Sequence, residues 1–180
     1  MDPGRIVAGN VVQISGTAGL TVAVSFLAGL QQYSAAPVAW IGTHASIPYP
    51  LDLVHAGVDL NRLLVVRHAE AAQRAHAVDI LLRRRCCSLL VLDTPAEEPP
   101  EPGFLGRCMH VCRREGSAVV VLTPGVREAL APAVRTHLRS RVVAEQHDGG
   151  VEDHLELSVL RSRVPLTGGF LRVQPPADLY

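Results

Sequence analysis

The chain contains no lysine; all 17 of its basic residues are arginine, and they balance 17 acids to a formal net charge of zero. Non-specific nucleic-acid binders draw affinity from phosphate neutralisation and so carry an excess of positive charge. A neutral chain is not built for that, although a local basic patch remains open to it. A membrane-spanning run is also missing: the longest apolar stretch, about Ala18 to Leu30, falls short of the roughly 20 residues that cross a bilayer. The opening Met1-Asp-Pro-Gly4 is acidic and breaks structure, unlike a secretory leader, so the expected location is cytoplasmic.

Zinc knuckles of the C-x₂-C type are absent. The four cysteines are the neighbours Cys86 and Cys87, and Cys108 and Cys112 at helical i,i+4 spacing. A zinc site from Cys108, His110, Cys112 and the Cys86/Cys87 pair is one reading. The other, and the expectation here, is reduced thiols packed as small hydrophobes. Internal repeats are lacking too. What is present is 180 residues, 48% hydrophobic and 19% charged, enough for one domain with a substantial core.

An apolar strand, Val11–Ile14, runs into Gly16-Thr-Ala-Gly19 and then into a long apolar helix. Strand, glycine loop and helix are the layout of a P-loop. The working motif G-x-x-x-x-G-K-[ST] wraps a phosphate in backbone N–H groups, sets a lysine on the β/γ-phosphates and a hydroxyl on Mg²⁺. Here two residues separate the glycines instead of four, and Leu20 stands before Thr21 in place of the lysine. The expected use of Gly16 and Gly19 is a tight turn that lets the helix pack on the sheet.

Further along, Ala36–Gly42, Arg62–Arg67, Ser88–Asp93 and Ser117–Leu122 read as strands. Between them lie a short helix at Leu51–Ala56 and longer ones at Ala69–Arg84 and Phe104–Arg114. Unpatterned Val/Leu runs alternating with helices signal a parallel sheet covered on both faces. After Thr123 the strands lengthen and alternate, at Val134–Glu145, Leu155–Ser162 and Gly168–Val173, as antiparallel strands closing one edge.

This order resembles the RecA ATPase core over about residues 9 to 174. Val38–Ile41 through Ala56-Gly-Val-Asp-Leu-Asn-Arg-Leu-Leu64 is similar to RecA's second strand, short helix and following step. Ser88–Asp93 resembles the Walker B strand, whose aspartate holds Mg²⁺ in active members. More narrowly, Ile47-Pro-Tyr-Pro50 and the shortened loops resemble ImuA, a RecA-like protein of bacterial damage-induced mutagenesis, sometimes grouped with SulA cell-division inhibitors. The implied fold is three-layer α/β/α: a mostly parallel twisted sheet with antiparallel strands at its C-terminal edge and a degenerate P-loop. Residues 1–9 form a short arm, 10–174 the core, and 175–180 a tail ending earlier than ImuA-like proteins do.

The departures inform the function. RecA's water-activating glutamate is replaced by His44, which reads either as a general base or as a surface histidine. The segment matching RecA's first DNA loop, Thr94–Pro102, is short, proline-rich and acidic (Glu97, Glu98, Glu101), and the second is reduced to Pro124–Pro132. Without the lysine, a positive charge is missing from any phosphoryl-transfer transition state. Arg83-Arg-Arg85 contacts an acidic partner or simply complements a helix dipole. Among Arg135, Arg139, Arg141, Arg161 and Arg163, strand alternation sets Arg139 with Arg141 and Arg161 with Arg163. In the RecA resemblance this region lies by the subunit interface and nucleotide, so these arginines hold Glu128, Glu145 or Glu156, or a partner.

The resemblance thus implies a non-enzymatic pseudo-ATPase with no catalytic residue, cofactor or metal. It would be a nucleoid-associated adaptor of the SOS response that binds RecA and the polymerase-like hub ImuB, and through it an error-prone translesion polymerase. DNA binding by the core is expected to be weak or absent. The alternative is a SulA-type inhibitor of the tubulin-like division protein.

Overall fold

In the computed structural model the described residues are 9–96, 98–125, 127, 130, 132–147, 150–163 and 170–173, with side chains described for all of these except 144–147, 150–154 and 170–173. The arm (apart from Gly9), the tail, Glu97 and Glu128 lie outside them, as does the side chain of Glu145.

The elements run β1 (Val11–Ser15), α1 (Gly19–Tyr33), β2 (Val38–Gly42), α2 (Pro50–His55), a 3-10 turn, β3 (Leu63–Arg67), α3 (Ala71–Arg83) and β4 (Leu89–Asp93). They continue with α4 (Pro102–Glu115), β5 (Ala118–Thr123), β6 (Thr136–His147), β7 (Gly150–Ser162) and β8 (Phe170–Val173). All eight strands form one sheet in the order β3-β2-β4-β5-β1-β6-β7-β8. The pairings from β3 across to β1 are parallel. The expected antiparallel strands close the C-terminal edge of the sheet. β6 pairs parallel to β1, and only β6–β7 and β7–β8 are antiparallel.

Two apolar layers sandwich the sheet. Val12, Ile14, Trp40, Leu89, Val91 and Val120 pack with Val22, Phe26 and Leu27 of α1 on one face. On the other, Val11, Ala39, Ile41, Leu90, Leu92 and Val119 pack with Val78 and Leu82 of α3 and with Phe104, Leu105 and Cys108 of α4. β1, β2 and β5 are buried at every residue, which is why their sequences show no alternation. α1 is apolar nearly all round because it crosses β1, β4, β5 and β6.

Cys87, Cys108 and Cys112 are buried, whereas Cys86 is exposed. Burial pushes the thiols up, to about 11 for Cys87, about 12 for Cys108 and about 11 for Cys112, so they behave as small apolar side chains. At the end of α3, Arg85 takes a positive φ of 54°. Its N–H donates to Leu82 O and the Cys86 N–H to Leu81 O, a Schellman termination that satisfies two orphan carbonyls. Arg83 bonds Asp79 at 2.8 Å and Arg85 pairs with Glu115, so two of the three consecutive arginines have partners within the fold. No helix among the described residues is long and apolar enough to cross a membrane.

Candidate functional site

The carboxyl end of β1 is the place where a RecA-type core would cradle phosphate. The chain leaves Ser15 into Gly16 at φ +110°, a backbone setting that side chains rarely adopt. The Gly19 N–H bonds back to Gly16 O at 3.3 Å and closes a four-residue turn from which α1 starts. β6 lies directly against this turn. A Cβ built on Gly16 would sit 2.0 Å from the main-chain oxygen of Ser140. The Ser140 hydroxyl donates to Ser15 O at 3.1 Å and lies 3.9 Å from a Cβ built on Gly19. The turn thus packs at Gly16 directly against the protein's own neighbouring strand. Leu20 is 44% exposed, and Thr21 is half-buried.

Asp93 ends β4 but is engaged by the loop after β2. Burial pushes its carboxyl up to about 6, with a Ser46 hydrogen bond and the nearby Arg74 charge pulling the other way. Gly42 permits this approach: a Cβ there would lie 2.5 Å from the Ser46 hydroxyl and 3.5 Å from Asp93 Cβ. The Thr43 N–H donates to Ser46 Oγ at 2.9 Å, which fixes the hydroxyl beside the acid. His44 projects from the same loop and is exposed.

The arginines assemble around β6 and β7. Arg139 pairs in register with Ser158, and Arg141 with Glu156, whose carboxylate it holds at 2.6 Å. The register then slips: Leu138 faces Val159 but His137 faces Arg161, leaving Leu160 as an extra residue on β7. Without that bulge Arg161 would fall on the face of Leu138 and α1. With it, Arg161 joins Arg139, Arg141 and His137 on the opposite face. Arg161 Nη2 donates to Val134 O at 2.8 Å, and Arg163, just past the strand, is exposed with its N–H on Arg135 O at 2.9 Å.

His137, which the sequence pattern did not single out, joins these arginines to the turn. Its Nε2 shares a 2.9 Å hydrogen bond with Ser15 Oγ. Burial and the charges of Arg161 and Arg139 hold its pKa below the ordinary histidine value. A neutral imidazole therefore separates the arginines from the loop. Nearby, Gln13 Nε2 donates to Thr123 Oγ1 at 3.0 Å, and Thr94 Oγ1 to Leu122 O at 2.6 Å. Arg127 donates to Ala96 O, tying the segment after β5 to the one after β4. These pairs are 28 to 122 residues apart in sequence, so local patterning carries no trace of them.

With this geometry in view, one solved structure is informative. The crystal structure of the RadB recombinase superposes with a TM-score of 0.72, covering 94% of this chain and 88% of that chain at 15% identity. The fold is RecA-like. No protein-family model matches the chain, and no curated protein matches it by sequence.

Gly16→Ala should destabilise the fold by at least about 2 kcal/mol in urea denaturation, from its φ and its collision with Ser140. Gly106→Ala, in α4 with nothing within 4 Å of the new methyl, should instead gain about 0.5–1 kcal/mol. Asp93 supplies a pH test. Between 3.8, the ordinary aspartate value, and about 6, the folded state keeps a proton that the unfolded chain has lost. Stability therefore falls as pH rises through that window. Asp93→Asn removes this loss and should stabilise the protein by about 1–2 kcal/mol at pH 7.5 and not at pH 3.5, as read by denaturation at both.

Proposed function

We propose that the chain is a non-enzymatic RecA-like adaptor of damage-induced mutagenesis, which binds RecA and the polymerase-like hub ImuB and so recruits or regulates an error-prone polymerase. The observation that supports the reading is the pairing of an exposed arginine face on β6–β7 with a shortened glycine turn that packs against Ser140 and has Leu20 at the lysine position. Phosphoryl transfer needs donors free to wrap phosphate and a cation to neutralise its charge. In this chain the Gly19 N–H is spent on Gly16 O, and Leu20 stands at the lysine position. Asp93 is desolvated and hydrogen-bonded by Ser46.

The arginine face suits a protein partner. Among the described residues Glu156 pairs with Arg141, and Arg139 and Arg163 are exposed. By the RecA resemblance this face lies toward a neighbouring subunit and its nucleotide, so the adaptor would meet RecA there. The shortened segments after β4 and β5, joined by Arg127 and Ala96, leave little room for a DNA loop, and DNA binding is secondary. The protein works in the cytoplasm at the nucleoid.

Calorimetric titration of the full chain against RecA and against ImuB tests this. The expected result is a complex with each, the RecA complex weakened about tenfold or more by Arg139→Glu with Arg163→Glu. Phosphate release should stay at background with single-stranded DNA. No complex with either protein, or DNA-stimulated phosphate release, would overturn the reading. Inhibited polymerisation of the tubulin-like division protein, without RecA binding, would replace it with the SulA-type function.

A further inference from the structure

Away from the β1 turn, a cavity of about 410 Å³ opens between the first turns of α3 and α4 and the residues Thr94, Glu98, Pro99, Pro100 and Glu101. We propose that it binds a small organic carboxylate, whose acid group replaces Glu98 on the guanidinium of Arg74. The proposal is independent of the adaptor reading.

Arg74 lies on one helical stripe with Val78 and Leu82 and is 1% exposed. Its Nη1 donates to the main-chain oxygens of His68, at 3.0 Å, and Ala69. Its Nη2 meets Glu98 Oε2 at 2.6 Å. A buried cation needs a counter-charge, because leaving it unpaired is strongly unfavourable. Here the acid in contact is a surface residue, with its side chain 46% exposed, on a proline-rich connection. The guanidinium is therefore already set up to receive a carboxylate, and it holds one from its own chain.

Glu98 satisfies the charge but does not fill the space. Ala71, Ala72, Ala75, Leu92 and Phe104 present an apolar wall to the cavity. An incoming acid with an apolar body would repeat the Glu98 contact and also cover that wall, which is the gain that lets it compete. The volume falls within the roughly 300–1,000 Å³ of small-molecule sites. Arg107 adds a second positive charge at the rim, its guanidinium 6.0 Å from the centroid of the Phe104 ring. Glu101 on the rim and Asp93, which feels the charge of Arg74, set limits on how much anion the site takes. A single carboxylate fits this balance better than a dianion.

The test uses the full ¹⁵N-labelled chain with 3-phenylpropionate and its uncharged analogue 3-phenylpropanamide. The carboxylate should shift the Ala71, Ala72 and Phe104 amides, and the amide analogue should bind at least tenfold more weakly. Glu98→Gln removes the competing acid and should tighten carboxylate binding at least threefold. Ala72→Trp fills the cavity from an exposed helix position and should abolish it; the rest of the spectrum reports whether that variant is folded. The proposal fails if millimolar carboxylate shifts nothing in either the parent or the Glu98→Gln chain. It fails equally if the two probes bind alike, if Glu98→Gln weakens binding, or if folded Ala72→Trp binds as before.

Discussion

The main-chain oxygen of Ser140 occupies the space that a side chain on Gly16 would need, and the arrangement of the sheet's carboxyl end depends on that contact. It fixes β6 beside β1 in parallel register, with Ser15 opposite Arg139. It places Ser140 Oγ on Ser15 O and His137 on Ser15 Oγ, so one strand end accepts polar groups from both faces of β6. The antiparallel strands β7 and β8 then hang from β6. A phosphate-binding loop ordinarily stands clear of neighbouring strands so that its N–H groups can surround an anion. In this chain the neighbouring strand packs directly against Gly16, where a side chain would otherwise stand.

The same contact links the turn to the arginines. Because Leu138 and Ser140 point to the α1 face, Arg139, Arg141 and His137 point to the other, and the bulge at Leu160 adds Arg161. The lowered pKa of His137 keeps that junction uncharged near neutrality, which limits repulsion within the cluster. The sheet thus presents concentrated positive charge in a chain with no net charge. Such a local concentration shapes the field near this face without giving the whole chain a net attraction to anions.

Much of the central sheet could be read from the chain because burial on both faces removes alternation. Val11–Ser15, Leu89–Asp93 and Ala118–Thr123 are apolar runs in which position within the fold, not local chemistry, sets the pattern. The direction of β6 could not be read that way. Arg139, Ser140, Arg141 and Val142 alternate as a half-exposed strand does, and alternation is the same whether a neighbour runs parallel or antiparallel. Grouping Arg161 with Arg139 required a bulge that shows only once strand pairing is known. At Asp93 the motif was visible, but Ser46, which engages it, lies in a loop 47 residues earlier. Arg74 left a legible signal, one charge on the Val78 and Leu82 stripe, though its partner Glu98 belongs to another segment.

If the packing of Ser140 on Gly16 closes the turn to phosphate, restoring the lysine should change nothing. Leu20→Lys tests that most directly, by isothermal titration with Mg·ATP beside a thermal melt. The account predicts a folded protein with no binding detectable at millimolar nucleotide and no shift in its melting temperature. Micromolar binding by Leu20→Lys would contradict it, because the turn would then be an open phosphate site lacking only its charge.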